Sequence, residues 1–321
     1  MKRVFWRVFT LPLCLTVWLG THACKVESDG LSPTGTSSTG RVAIELTDAP
    51  IDDASVRSVF VTVTEVNVDG KPFSGFTGKK TIDVLALQNG RVEGLGVANL
   101  EAGTYSNVSL VLDYATDANG NAPGCYVLTT DNQKHNLGAS GVQRVEVKSN
   151  QALQVAEKSE QTLVMDFDLR KAVKDNNGNS PGGYIFAGES ELQSTVRVVN
   201  KNRVGSIVGK STNSGSNGRV VVYAYKKGQF NRSAESANQF ANAVNSATVD
   251  ASGNYKLSFL EEGDYDICFA SYQQNPNGGS AVLRGVLSLG GGLSLNGVSS
   301  VSVKANTEAR LDVTLGGLLS L

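Results

Sequence analysis

From Arg41 to the end of the chain, apolar residues recur at every second position in short runs, and this period of two is what most constrains the fold. Val42, Ile44 and Leu46 alternate with Ala43 and Glu45; Val59, Val61 and Val63 share one parity, and Val66 and Val68 the other. Leu163, Met165, Phe167 and Leu169 face one way, and Val301/Val303 and Leu311/Val313/Leu315 read as closing strands. A strand places such residues on one face, whereas a helix would scatter them around its axis. The switch of parity between Val63 and Val66 predicts a β-bulge. Between the runs stand turn-formers: Asp69-Gly70, Asp117-Ala118-Asn119-Gly120-Asn121 and Asp175-Asn176-Asn177-Gly178-Asn179. The expectation is an all-β chain built as two β-sandwich domains. A short helix is expected inside the second, over Ser233 to Ala247, where Ala234, Ala237, Phe240, Ala241 and Val244 fall near one face.

The first 23 residues belong to neither sandwich. Lys2, Arg3 and Arg7 precede a short apolar run from Val8 to Gly20, interrupted by Thr10, Pro12 and Thr16. That is the charged and apolar pattern of a secretory signal, too short to span a bilayer. Ala23 precedes Cys24, and Thr21-His22-Ala23-Cys24 resembles the lipobox of bacterial lipoproteins, which implies that the Cys24 thiol carries lipid and becomes the new N-terminus. Thr21 and His22 depart from that box, and a plain signal-peptidase site after Ala23 is the alternative. Lys25 rather than Asp follows, which in such lipoproteins implies sorting to the outer membrane. Residues 24–40 then form a Gly/Ser/Thr-rich tether.

Once the leader is removed, 26 basic residues face 30 acidic ones, a net charge of −4. No basic, aromatic-studded stretch of the kind that grips a phosphate backbone is present, so nucleic acid is excluded as a partner. Of the four cysteines, Cys14 leaves with the leader, Cys24 is the lipid site, and Cys125 and Cys268 fall in different domains. Cys268, between Ile267 and Phe269, reads as a small buried hydrophobe.

The motifs after the tether carry a resemblance. Leu46-Thr47-Asp48-Ala49-Pro50, the strand Val59 to Val68, Ile82 to Gly90, Ala102-Gly103-Thr104-Tyr105 before Leu110-Val111-Leu112, Leu163 to Val173, and Gly182-Gly183-Tyr184 before Val196 to Val199 occur in the order found in the DUF4382 family. The resemblance covers about residues 40–200 and implies a bacterial envelope lipoprotein without known chemistry. Farther on, Thr248-Val249-Asp250-Ala251-Ser252-Gly253-Asn254-Tyr255 and Leu260-Glu261-Glu262-Gly263-Asp264-Tyr265 resemble the hairpin and corner of carboxypeptidase-regulatory or transthyretin-like domains. Together these imply Ig-like or prealbumin-like sandwiches over 41–201 and 202–321.

Candidate binding residues are acidic. Asp166 and Asp168 share the face opposite Met165 and Phe167 with Arg170, and could hold a cation or form an acid/base pair. The plainer reading is a solvated strand face with Arg170 partly neutralising the acids. Asp48, Asp52 and Asp53 crowd a turn where hard oxygens suit Ca²⁺, although Asp and Pro also make turns unaided. The Asn-Gly loops lack the sixth-position glycine and closing Glu of a calcium loop, and Val204 to Ser211 lacks the spacing of a phosphate-binding loop. The mature chain has one histidine, His135, so a zinc peptidase set is absent, and no nucleophile motif is found. No cofactor or metal is therefore expected. The expected function is a lipid-anchored, non-catalytic envelope module that binds a surface glycan, peptide or protein partner. A carboxylate-dependent, glycosidase-like envelope hydrolase is the alternative.

Overall fold

The alternating runs form strands in the computed structural model, which describes residues 38–49, 51, 53, 55–149, 151–175, 183–212, 218–273, 281–290, 297–319 and 321. Cys24 with the leader, residues 24–37 of the tether, Asp52 and residues 176–179 lie outside the described residues, whereas Thr39 and Gly40, expected in the tether, already belong to the strand Thr39–Ala49. Val59, Val61, Val63, Val66 and Val68 are all buried in the strand Val56–Val68. The register against Val108–Asp113 shifts between Val63 and Glu65, so the predicted bulge is what turns the second pair of valines inward. The exit turn is also as read: Asp69 and Gly70 both take positive φ, and Val68 pairs with Lys71.

The strand Thr39–Ala49 is the centre of a four-stranded sheet with the order Val196–Asn200, Glu160–Asp168, Thr39–Ala49, Glu93–Glu101. Its pairing with Glu160–Asp168 is parallel. A second sheet runs Arg144–Ser149, Val108–Asp113, Val56–Val68, Tyr126–Thr129, Lys134–Asn136. Buried residues of both sheets, among them Ile44, Leu46, Val61, Leu110, Met165 and Phe167, form one core. After Val204 the strands form a separate nine-stranded sheet, in which Val204–Thr212 pairs with Asn254–Glu261 and Arg219–Lys226 with Gly263–Gln273. This sheet curls around Ile207, Val222, Leu257, Ile267, Phe269 and Leu315. The run Val220 to Tyr225 is apolar at both parities because its outer face is buried too, against Phe240 and Ala243.

Gly209 in the strand Val204–Thr212 explains the glycines of the would-be phosphate loop. A Cβ there would lie 1.8 Å from the Leu311 carbonyl oxygen, so glycine permits the close approach of two backbones.

Two local devices recur. Asp117 Oδ1 accepts from the N–H groups of Asn119 and Asn121, and Asp250 Oδ1 accepts likewise from Ser252 and Asn254. Both are Asp-Ala-x-Gly-Asn turns whose carboxylates are consumed by their own backbone. Tyr105 donates to the Glu101 carbonyl at 2.8 Å and Tyr265 to that of Glu261 at 2.7 Å, the same corner made from Leu-Glu-x-Gly-x-Tyr in each part.

The all-β expectation holds, with only short helices: Leu169–Ala172, Glu189–Leu192 and Arg232–Asn238. The helix expected over 233–247 stops at Asn238. Gln239 and Phe240 both adopt left-handed backbone, Glu235 takes the Phe240 N–H at 2.5 Å, and Asn245–Thr248 is already a strand. No helix among the described residues is long and apolar enough to cross a membrane.

Ser37–Leu321 fall in one compact unit, although among the described residues no sheet mixes strands from before and after residue 201. Val164 and Val199 of the four-stranded sheet pack with Val204 and Phe259, which joins the outer face of that sheet to the C-terminal part.

Candidate functional site

Parallel pairing decides where the acidic residues meet. It sets Thr47 opposite Asp166, Asp48 opposite Phe167 and Ala49 opposite Asp168, so acids about 120 residues apart in sequence share one end of one sheet. At that end Asp48 Oδ1 accepts from the Leu169 N–H at 3.3 Å. Asp53 is buried: its Oδ1 accepts from the N–H and hydroxyl of Ser55, and its Oδ2 from the Tyr184 hydroxyl at 2.8 Å.

Asp166 and Asp168 do share the face opposite Met165 and Phe167, but that face is not solvated. Asp166 is 4% and Asp168 9% exposed, because the C-terminal part covers them. Burial of charge requires partners, and both acids have them. Arg197 binds Asp166 Oδ2 at 2.6 Å, and Asn245 Nδ2 donates to the same oxygen at 3.3 Å. Arg170 binds Asp168 Oδ2 at 2.8 Å, with Lys171 Nζ at 3.2 Å. Burial works to raise the Asp168 carboxyl, but the charges and hydrogen bonds of Arg170 and Lys171 outweigh it and hold the group below the ordinary carboxylate range. Asp168 is thus an ionised acceptor and not a proton donor.

Each arginine also reaches across the junction. Arg170 Nη1 donates to the Phe240 carbonyl at 2.6 Å, and Arg197 Nη1 to the Phe259 carbonyl at 2.9 Å. Arg219 of the C-terminal sheet reciprocates by donating to the Ile51 carbonyl at 2.6 Å. No local motif marks a site at Arg197, Arg219, Asn245 or Phe259, and Phe240 is read from the sequence only as part of a helix face. A legible sign was available in Val164, which has the parity of Asp166 and Asp168 and would be misplaced on a wet face.

Beside these pairs lies a cleft of about 650 Å³ between the N-terminal and C-terminal strands. Arg170, Lys171, Lys174 and Tyr184 line one side, and Gln239 and Asn242 the other. A smaller cavity of about 320 Å³ adjoins it, lined by Asp166, Asp168, Lys171, Arg197 and Asn242. In the larger cleft Lys174 pairs with Glu191 at 2.6 Å, Arg170 and Lys171 pair with Asp168 behind the wall, and Asp53 accepts a hydrogen bond from Tyr184. The side chains of Gln239 and Asn242 are exposed. Tyr184 also meets the His135 ring edge-on at 5.3 Å, and the His135 Nε2 lies 3.3 Å from the Thr129 hydroxyl.

Neither of the described cysteines adds a reactive group. Cys125 and Cys268 are free and buried. Burial pushes the Cys125 thiol up to about 12, and also raises that of Cys268. Among the described residues no three of His, Cys, Asp and Glu converge as a metal set.

The family described as Domain of unknown function (DUF4382) matches residues 39–187. Residues 39–187 are a DUF4382 domain. The matched residues therefore supply both sheets of the N-terminal core except the edge strand Val196–Asn200, together with the Arg170 side of the cleft, while Arg197 and the far side lie beyond them. No curated protein sequence matches the chain. Among solved structures, the chain is similar to a leucine-rich repeat protein from Bacteroides thetaiotaomicron, with 12% identity and a TM-score of 0.22, covering 88% of this chain and 27% of that one. It is similar also to GBS52, the minor pilin of Streptococcus agalactiae, with 10% identity and a TM-score of 0.21, covering 88% and 98%. A third is the family CBM26 module from Eubacterium rectale Amy13K, solved with maltoheptaose, with 12% identity and a TM-score of 0.18, covering 85% and 93%. The chain thus spans about a quarter of the length of the leucine-rich repeat protein. At TM-scores below 0.5 none of these likenesses bears on where a site lies or what it does.

Proposed function

We propose that this chain is a non-catalytic module of the bacterial envelope, tethered by lipid on Cys24, which binds a glycan in the cleft between its N-terminal and C-terminal strands. The observation that carries the binding reading is the cleft itself. It is large enough for a few sugar rings, its cations are each paired with a carboxylate in or behind its wall, and it offers exposed amides. A neutral, hydroxyl-rich ligand exchanges hydrogen bonds with such a surface without leaving a buried charge unpaired, which a charged polymer would do. The absence of catalysis is supported by chemistry: Asp168 is held ionised and both acids are tied to arginines. The carboxypeptidase-regulatory resemblance of the C-terminal part fits a scaffold role, and the envelope address follows from the leader and Cys24.

Affinity electrophoresis against a panel of neutral polysaccharides tests the binding reading. Retardation by at least one polymer, weakened about tenfold or more by joint Gln239→Ala and Asn242→Ala substitution, is the expected result. Retardation indifferent to both substitutions removes the cleft from the mechanism, and hydrolysis of a bound polymer abolished by Asp166→Asn establishes the hydrolase instead. Metabolic fatty-acid labelling of the wild type, lost in Cys24→Ala, is expected for the anchor; label that persists in the variant refutes it.

A further inference from the structure

Eight non-glycine residues among those described have positive φ, and only two of them are aromatic, Phe240 and Phe259. Left-handed backbone is costly for a bulky residue and persists where its surroundings enforce it. Both aromatics stand at the junction, and the carbonyl of each receives an arginine from the N-terminal part, Arg170 from the helix Leu169–Ala172 and Arg197 from the strand Val196–Asn200.

The chain of contacts at Phe240 is continuous. Tyr225 donates to Glu235 at 2.9 Å, and Glu235 takes the Phe240 N–H, which fixes the turn that ends the helix Arg232–Asn238. The Phe240 carbonyl then points to Arg170, whose guanidinium lies 5.3 Å from the centre of the Tyr223 ring. Tyr223 is itself stacked on Phe240 at 4.1 Å. Lys171 Nζ reaches the Ala243 carbonyl at 3.4 Å. At Phe259 the register of Val204–Thr212 against Asn254–Glu261 shifts between Gly205 and Ile207, and this bulge turns the Phe259 carbonyl toward Arg197.

We infer that Arg170 and Arg197, positioned by Asp168 and Asp166, form a latch that holds the Phe240 turn and the Phe259 bulge of the C-terminal part in left-handed backbone, and that its Arg170 arm shapes the cleft. The residues on either side of the cleft are the sequence neighbours of the latch: Arg170 itself and Lys171 on one wall, Gln239 and Asn242 on the other. Docking of the two parts and order in the cleft wall are then one equilibrium. Each side stabilises the other by the same factor. The latch matters for binding only if the cleft takes the ligand, as proposed above; the test below uses no ligand, so the two readings fail separately.

Hydrogen–deuterium exchange on the full chain reads the latch directly. Arg170→Ala should speed exchange over residues 239–244 about tenfold or more, and Arg197→Ala over 258–260, although neither substitution lies in those segments. The Asp250 turn and the Tyr265 corner, which touch neither arginine, should keep their wild-type protection. Arg170→Lys preserves the charge but not the forked geometry, and should give a smaller acceleration at 239–244. In the reverse direction, Glu235→Ala should speed exchange over residues 169–173 on the far side of the junction. Unchanged protection at 239–244 in Arg170→Ala, or at 169–173 in Glu235→Ala, overturns the proposal. So does uniform acceleration of the whole C-terminal sheet in Arg170→Lys.

Discussion

Arg197→Ala asks whether the junction rests on an ion pair that cannot be broken from one side. The substitution leaves the Asp166 carboxylate, 4% exposed, with the Asn245 amide at 3.3 Å and no cation of its own. Stranding a buried charge in this way costs about 3–5 kcal/mol. The Arg197 side chain is about one-fifth exposed, so water can reach the vacated space, and the lower end, about 3 kcal/mol, is expected. For a chain of this size that corresponds to a fall in melting temperature of about 5 °C. The informative partner is the double substitution Asp166→Val/Arg197→Val. It removes both charges and extends the apolar patch of Val164, Val199, Val204 and Phe259. What it still loses is the donor to the Phe259 carbonyl, about 1–2 kcal/mol. The double variant should therefore be more stable than Arg197→Ala, in urea unfolding followed by circular dichroism. A single variant that costs under about 1 kcal/mol, or a double variant no more stable than the single, refutes the reasoning.

Other expectations follow from the same geometry. Gly209→Ala drives a methyl group into the Leu311 carbonyl and should destabilise the chain by about 3 kcal/mol, whereas alanine at Gly70 meets no atom within 4 Å and is opposed only by positive φ; parallel melts of the two variants distinguish these costs. Asp250→Ala removes the acceptor of two backbone N–H groups and should lower the melting temperature, as should Asp117→Ala, whose carboxylate accepts the same pair of bonds. Acid should weaken the fold in a definite window. The Asp168 carboxyl is depressed in the folded chain, so its contribution is complete above the ordinary carboxylate pKa near 3.8 and is lost as pH falls from there through its own lower value. Asp168→Asn should flatten that part of the stability profile measured between pH 2 and 6, and an unchanged slope there would count against the pairing.

The fold was legible because strand parity is local. Val59 to Val68, with its change of parity, announces a strand and its bulge, and Asp69-Gly70 announces the turn that follows. Leu260 to Tyr265 announces one tyrosine corner, and the structure shows that Leu100 to Tyr105 makes the same corner from the same pattern. The helix over 233–247 was over-read because Ala241 and Val244 continue the helical spacing. What stops the helix is a buried carboxylate five residues back taking the Phe240 N–H, and that closure depends on the sheet beneath it. The parallel partnership of Thr39–Ala49 with Glu160–Asp168, which gathers the acids at one end, is a contact between distant segments that no local pattern encodes.

The acidic face shows how the same parity can place a residue correctly and still misjudge its surroundings. Alternation put Asp166 and Asp168 on the face opposite the core, and that is where they are. Charged residues are almost never fully buried unless paired, which makes a solvated face the natural reading of Asp166, Asp168 and Arg170 taken alone. The exception becomes visible when the strands are read in pairs. Val164 shares the parity of the two acids, and Val199 shares that of Arg197 on the neighbouring strand, with Val164 opposite Val199 and Asp166 opposite Arg197. An apolar pair and an ionic pair side by side make little sense in water, where the valines would be exposed and the ion pair would contribute little. They make sense beneath a second layer, in which the valines are covered by Phe259 and the arginine carries its charge onward to a carbonyl of that layer. The acids thus hold the guanidinium groups in place and the guanidinium groups hold the covering layer, so the acidic face works through the cleft it helps to shape.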